Sequence, residues 1–249
     1  MSALLLSVVG MTSNQAFAAT SPDLGAANSF GILANTYTNS GAGTSISGDL
    51  GYTVAPANPP TVLGTTFIST DAPYIAAQVA QSNAIVFLNN PVLSGNCDVS
   101  FAGATDLSLV NGGVYSSGVY CIDGAATIGA TGITLDGNGI HIFRINGALD
   151  TVATSVISMT KNAEACDVFW VPVGATTLAD QSTFVGTILS DAAFTLGANV
   201  DMTGRILSNG AVTTTGPSDT ITVPSCDGNG NQHDDKDRKD KHDKKDKHK

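Results

Sequence analysis

The alternation of apolar and polar positions is clearest between Thr177 and Thr215, where it also repeats. Thr177-Leu178-Ala179 aligns with Thr195-Leu196-Gly197 and Thr213-Thr214-Thr215, while Phe184, Gly186 and Ile188-Leu189-Ser190 align with Met202, Gly204 and Ile206-Leu207-Ser208. The offset is the same in every aligned pair, eighteen positions along the chain. That period exceeds a heptad and falls short of a helix-pair repeat. It fits one turn of a β-solenoid, in which a rung buries its apolar face only by stacking on the next. Stacked rungs lie about 4.7–4.9 Å apart, so a side chain repeated outward in every rung forms a ladder at that spacing.

The pattern apolar-x-Gly-x-apolar at 184–188 and 202–206 occurs already at 46–50, behind a strand-like run at 30–34. Both ends of the chain therefore supply rungs, and the solenoid is discontinuous. Pro56, Pro59 and Pro60 break the strand register, since proline removes ladder donors. Asp71 then precedes Pro73 in the manner of an N-cap before a first helical turn, and residues 74–89 run without Gly or Pro until Pro91. Ile75, Val79 and Val86, with Ala76, Ala80 and Ala84, recur at helical spacing and predict one helix at about 71–90, laid along the solenoid over apolar surface. Residues 99–223 continue as strand and corner, with strands expected at 118–122, 133–135, 140–145, 155–159 and 168–173. The expected fold is mainly β: a discontinuous β-solenoid of about 18 residues per rung with one long α-helix packed alongside.

Composition agrees with small-residue corners: of 249 residues 27 are Gly, and only 13% are charged. One domain accommodates the length. Residues 3–11 form a short apolar core and Ala16-Phe17-Ala18 an A-x-A cleavage site, so 1–18 is expected to be a signal peptide and the protein secreted, with 19–226 as the domain. No other stretch approaches the roughly 18 apolar residues of a membrane span. Four cysteines in an exported chain favour two disulfides, expected as Cys97–Cys121 and Cys166–Cys226; without a C-x-x-C spacing, metal or redox use is disfavoured. Seven of the 21 acids and eight of the 11 bases lie in the tail 227–249, which leaves the remainder at −11. Such a body does not bind nucleic acid or anionic lipid by counterion release. The tail has no apolar residue and is expected to be disordered.

Chemistry is sparse. His141 lies among Ile140, Ile142 and Phe143, as a strand or core histidine does, and Asp180 and Asp201 stand at nearly equivalent rung positions without the basic partners that acidic-sugar chemistry needs. No enzyme and no cofactor are expected. Residues 227–231 begin like a calcium loop, but Gln232 and Arg238 occupy the places of its turn Gly and its bidentate Glu, so no metal site is assigned. The outer surface remains. Threonine holds a methyl and a hydroxyl rigidly at χ1, and a flat ladder of it can order water.

Residues 23–34, Gly113-Val114-Tyr115, 118–121, 165–170, 182–189 and 204–213 resemble the exported microbial ice-binding (antifreeze) protein family, over about residues 23–226. The resemblance implies a right-handed discontinuous β-helix of triangular section with its helix alongside, adsorbing to ice by one flat face. Rungs of that family often carry Thr-(Ala/Gly)-x-(Thr/Asn) before the apolar-x-Gly pattern; here Thr151-Val152-Ala153-Thr154 keeps both threonines, while Asp180 and Asp201 bring charge into the other rungs. Thr151, Thr154, Ser182, Thr183, Asn199 and Thr220 are the expected ice-binding residues, on a monomer of weak to moderate activity with ice as its partner and no membrane insertion. The alternative is a cell-surface structural or adhesion module on the same scaffold, tethered by the tail.

Overall fold

The computed structural model describes residues 18–225. Every paired strand runs parallel to its neighbours, in a 13-stranded and a 7-stranded sheet. Within the 13-stranded sheet the partners change on either side of Gly204, Thr220–Thr222 before it and Phe30–Leu33 after it, so the sheet forms two faces and the solenoid has three. The period of the sequence is visible in the register, where Thr176 pairs with Phe194 and Phe194 in turn with Val212. Farther down the rungs lengthen, since Leu149 pairs with Thr176 and Ala126 with Leu149, both wider steps along the chain. The added residues form a bulge between Asp136 and His141 and an excursion through the one-turn helix Ala165–Asp167.

The discontinuity lies beyond the prolines: Thr61–Val62 and Thr66–Ile68 follow them and still pair with Ser45–Ile46 and Asp49–Tyr52, and the chain leaves the stack only at the helix that begins at Ala72. Phe30–Leu33 pairs with Asp201–Ser208, and Thr36–Asn39 pairs with Ala211–Thr214, so the N-terminal segment continues the stack beyond the C-terminal rung. The apolar-x-Gly-x-apolar pattern marks the corner between two faces. Phe184 and Ile188 are buried on either side of Gly186, whose φ of +113° favours glycine. A Cβ on Gly204 would collide with the carbonyl of Gly186 in the rung next to it.

Inward positions fill the tube. Tyr120, Phe143 and Trp170 stack in successive rungs at 5.1 and 4.0 Å, with Phe184 next at 5.3 Å from Trp170. Stacked aromatics add about 0.5–1.5 kcal/mol per pair beyond their area. The Trp170 indole donates to the Val185 carbonyl at 2.9 Å, so its one polar atom is satisfied. His141 is a buried core residue, with Nε2 3.2 Å from the Tyr115 carbonyl, and burial lowers its pKa.

One face is covered by helix α1, Ala72–Asn89, within a residue of its expected bounds. Its buried residues are Tyr74, Ala77, Gln81, Ala84 and Leu88, packed over Leu33, Val119, Ile142, Phe169, Leu189 and Leu207. The expected stripe is split: Ile75, Val79 and Val86 are 50%, 57% and 67% exposed, while Ala84 is buried and Ala80 packs against the same cluster. Apolar residues on both sides of the helix leave the sequence without a decisive face, and the alanines decide it by admitting close approach. Three polar contacts fix the helix: Tyr74 Oη donates to the Ala34 carbonyl (3.0 Å), Gln81 to that of Ser190 (3.3 Å), and Arg144 Nε to that of Leu88 (2.6 Å).

Cys97 is bonded to Cys121, as expected. Cys166 is disulfide-bonded, and Cys226, its expected partner, lies outside the described residues, as do residues 1–17 of the expected signal peptide and the tail 227–249. Among the described residues no helix is long and apolar enough to cross a membrane.

The packing at Gly204 makes a direct test. Gly204→Ala is expected to cost about 2–3 kcal/mol through forced separation of two rungs, read as a lower urea midpoint. An unchanged midpoint would mean that the stack can spread there freely.

Candidate functional site

With one face under α1, two remain. The face that carries Thr183, Asp201 and Thr220 is encumbered: the one-turn helix Ala165–Asp167 packs against its strands, and Val185 beside it is buried. There too Lys161 Nζ binds Asp136 at 2.8 Å; the hydrogen bonds of Lys161 and Thr160 hold the Asp136 carboxyl below its ordinary range. The other face is the 7-stranded sheet, ordered Thr36–Asn39, Ala211–Thr214, Phe194–Leu196, Thr176–Leu178, Leu149–Thr151, Ala126–Ile128, Thr105–Asp106. None of the contacts that hold α1 or the excursion reaches it.

Its strands alternate strictly. Phe194 and Leu196 are buried with Thr195 between them, as are Thr176 and Leu178 around Thr177, and Val212 and Thr214 around Thr213. The outward positions are in register: Thr38 on Thr213, Thr213 on Thr195, Thr195 on Thr177, then Asp150, Thr127 and Asp106. Four threonines thus stand in an unbroken row at about 4.7–4.9 Å spacing. Beside them runs a column of alanines, Ala211, Ala193, Ala175, Ala148 and Ala125, aligned by the inter-rung hydrogen bonds. Methyl groups next to threonines leave the surface flat.

Charge enters this sheet only at its lower end. Asp106 is occupied locally, its Oδ1 accepting from Ser108 N (2.9 Å), Ser108 Oγ (2.6 Å) and Gly129 N (3.2 Å). Asp150 stands between Thr177 and Thr127 and interrupts the threonine row. The described basic residues are elsewhere: Arg144 against α1, Arg205 buried, Lys161 on the neighbouring face.

The six residues expected at the site are dispersed. Thr151 is 7% and Ser182 1% exposed; the Thr151 hydroxyl accepts from Ala179 N and that of Ser182 donates to the Ala179 carbonyl, both at 2.8 Å, so they brace a turn from within. Thr154 and Asn199 are exposed in the corner turns that follow the flat sheet, at φ of 64° and 56°. Thr183 and Thr220 lie round the corner, in one column with Asp201 and Ser45. Asp201 pairs with Thr183, so Asp180 is not its counterpart; Asp180 lies in the turn, where Oδ1 accepts from Ala198 N at 2.8 Å. The outward row Thr38, Thr127, Thr177, Thr195 and Thr213 stands apart from those six residues. Their signal was present as the period-2 triplets Phe-Thr-Leu and Thr-Thr-Leu at the head of each repeat.

Three comparisons bear on this arrangement. Residues 32–221 match the family model described as ice-binding-like. An ice-binding protein of Nostoc sp. (strain HG1) is 33% identical over 224 residues, covering 85% of this chain and 79% of that protein. Among solved structures, an ice-binding protein from the Antarctic ascomycete Antarctomyces psychrotrophicus superposes with a TM-score of 0.70 at 29% identity, covering 83% of this chain and all of that one. Another, from an Antarctic biological consortium, gives 0.72 at 25% identity over 87% and 96%.

The parity of the flat sheet can be checked chemically. In the native full chain Thr195→Cys is expected to react with a maleimide within minutes, and Leu196→Cys only after denaturation. Equal labelling of both would overturn the assignment of the outward row.

Proposed function

We propose that this chain, which belongs to the ice-binding-like family, is an exported protein that adsorbs to ice through its flat 7-stranded sheet and slows ice growth or recrystallisation. The observation that carries the reading is the row Thr38, Thr213, Thr195 and Thr177, in register and free of charge. Each threonine presents a methyl that repels disordered water and a hydroxyl that holds one water in place. β-Branching leaves little side-chain entropy to lose on docking, and the hydrogen-bonded stack beneath leaves little in the backbone. Water ordered on such a grid merges with a crystal at small entropic cost. A carboxylate holds its own hydration shell, which competes with the lattice. Asp150 therefore limits the area that can dock.

Thr154 and Asn199 extend the grid at its corner, and Thr151 and Ser182 keep that corner in shape from inside. Thr183 and Thr220, on the adjoining face, meet the crystal at the rim of the contact. Nothing in this process needs a catalytic group or a cofactor. A monomer suffices, because the threonine row lies within one chain. Residues 1–18 would direct export, and the charged tail 227–249 would hold the domain near the cell that made it.

Two substitutions test the surface in the full chain. Thr195→Tyr is expected to raise the concentration needed to inhibit recrystallisation at least tenfold with no change in melting temperature. Asp150→Thr would continue the row from Thr38 to Thr127 and is expected to lower that concentration severalfold. If Thr195→Tyr inhibits as wild type does, the flat sheet is not the docking surface. If wild type itself equals an inert control, the adhesion reading replaces ice.

A further inference from the structure

The corner beside the threonine row contains a carboxyl where other rungs have none. Thr44, Asp219, Val200, Ser182 and Ser155 occupy the same buried turn position in successive rungs, as the register of the residues that follow them shows. Asp219 is completely buried. Its Oδ1 accepts from Val200 N at 3.2 Å, and the nearby amides of Asn199 and Gly216 also favour the carboxylate. One oxygen thus ties the turn 216–219 to the turn 197–200. The other, Oδ2, is buried without a hydrogen-bond partner.

A buried carboxylate oxygen without a protein partner is costly, whereas the protonated acid keeps Oδ1 as an acceptor and loses the charge. Burial, with added repulsion from Asp180, raises the Asp219 carboxyl to about 6 against the pull of its three amides. The titratable groups that face it are Tyr37, on the flat sheet, and Asp180, two rungs away; neither is a base that could neutralise it. The turns it joins carry Asn199 and Ser218, both at positive φ and both exposed at the edge of the threonine row.

We propose that Asp219 is a positioning residue for ice binding and works as a proton-operated latch. Protonated, it holds the turns bearing Asn199 and Ser218 closed against the flat sheet; ionised, its second oxygen draws water into the corner and slackens both turns. The latch rests on the reading of the flat sheet and its corner as the docking surface. Its sign follows from linkage. The folded chain holds this proton more tightly than the unfolded one, so the contribution is complete below the ordinary value of 3.8 and is lost as pH rises through about 6.

The test compares the full chain at pH 5 and pH 8 by recrystallisation inhibition and thermal unfolding. Wild type is expected to need a two- to fivefold higher concentration at pH 8, with a melting temperature lower by roughly 3–6 °C. Asp219→Asn, which mimics the protonated form, should show the pH 5 activity at both values, and Asp219→Ser, the residue of two other rungs, should also be insensitive to pH. A wild type unchanged between pH 5 and pH 8, or an Asp219→Asn variant that shifts as wild type does, overturns the latch. A chain that unfolds at lower temperature at pH 8 but is inert toward ice at both values shows instead that the ice reading has failed.

Discussion

Parallel stacking at one strand spacing is the constraint from which this protein's other properties follow. A single rung has too little apolar surface to stay folded; it becomes stable when its backbone hydrogen bonds and inward side chains are shared with the rungs on either side. The requirement that buys stability also imposes order outside. If Phe194 must lie over Thr176 and Val212, then Thr195 must lie between Thr177 and Thr213. The external row is therefore as rigid as the core, and its rigidity is the physical basis of docking to a crystal. The corner glycines belong to the same constraint, because a Cβ at Gly204 would hold two rungs apart.

The three faces divide the consequences. The covered face exposes large apolar residues such as Leu189 and Leu207 toward α1, and the helix meets them with Ala77 and Ala84. The excursion through Ala165–Asp167 encumbers the second face, and the longer rung from Leu149 to Thr176 is its consequence in chain length. Only the third is left open, and there short strands alternate from rung to rung. An open parallel sheet would be an aggregation hazard if its outward side chains were large and apolar. Threonine and alanine reconcile β propensity with a surface that stays wetted in a regular way.

The sequence made the period, the helix and the Cys97–Cys121 bridge legible, because each leaves a local mark: a recurring block of strand and corner, a run without Gly, an even cysteine count. What it obscured was direction. The burial of α1 through Tyr74, Ala77 and Ala84, with Ile75 and Val79 outside, reverses the usual weighting of apolar size, since distance to the sheet decides and not hydrophobicity. The candidate site divides by parity. Attention to the turn before each apolar-x-Gly pattern selected Thr151 and Ser182, which point inward, and passed over Thr177 and Thr195, a few residues away on a strand whose alternation was in plain view. Asp180 and Asp201 are 21 positions apart, whereas the step that pairs Thr183 with Asp201 is 18, so Asp180 falls beside Ala198 in the next turn and not beside Asp201.

The seam where the two ends of the chain meet raises a further question of specificity. A purely apolar interface between Thr36–Asn39 and Ala211–Thr214 would tolerate a slip of two residues, which keeps the same side chains inside. Such a slip would shift Thr38 out of the row it shares with Thr213. Buried hydrogen bonds oppose it: Tyr37 Oη to Thr214 Oγ1 at 3.1 Å, Thr214 Oγ1 to Asn39 Oδ1 at 2.8 Å, and Thr44 Oγ1 to the same Asn39 oxygen at 3.1 Å. Asn39 and Asn58 then exchange side-chain amide and backbone carbonyl bonds at 3.0 and 3.2 Å. Arg205 adds a second tie, donating from Nε to the Asn28 carbonyl at 2.8 Å and from Nη2 to Asn28 Oδ1 at 2.9 Å. The bonds that cross the seam, from Thr214 to Tyr37 and Asn39 and from Arg205 to Asn28, would be broken by the slip, leaving buried polar groups unsatisfied at about 1–3 kcal/mol each. Polar groups at the seam thus contribute more to register than to net stability, and the fourth threonine of the docking row is in place because of them.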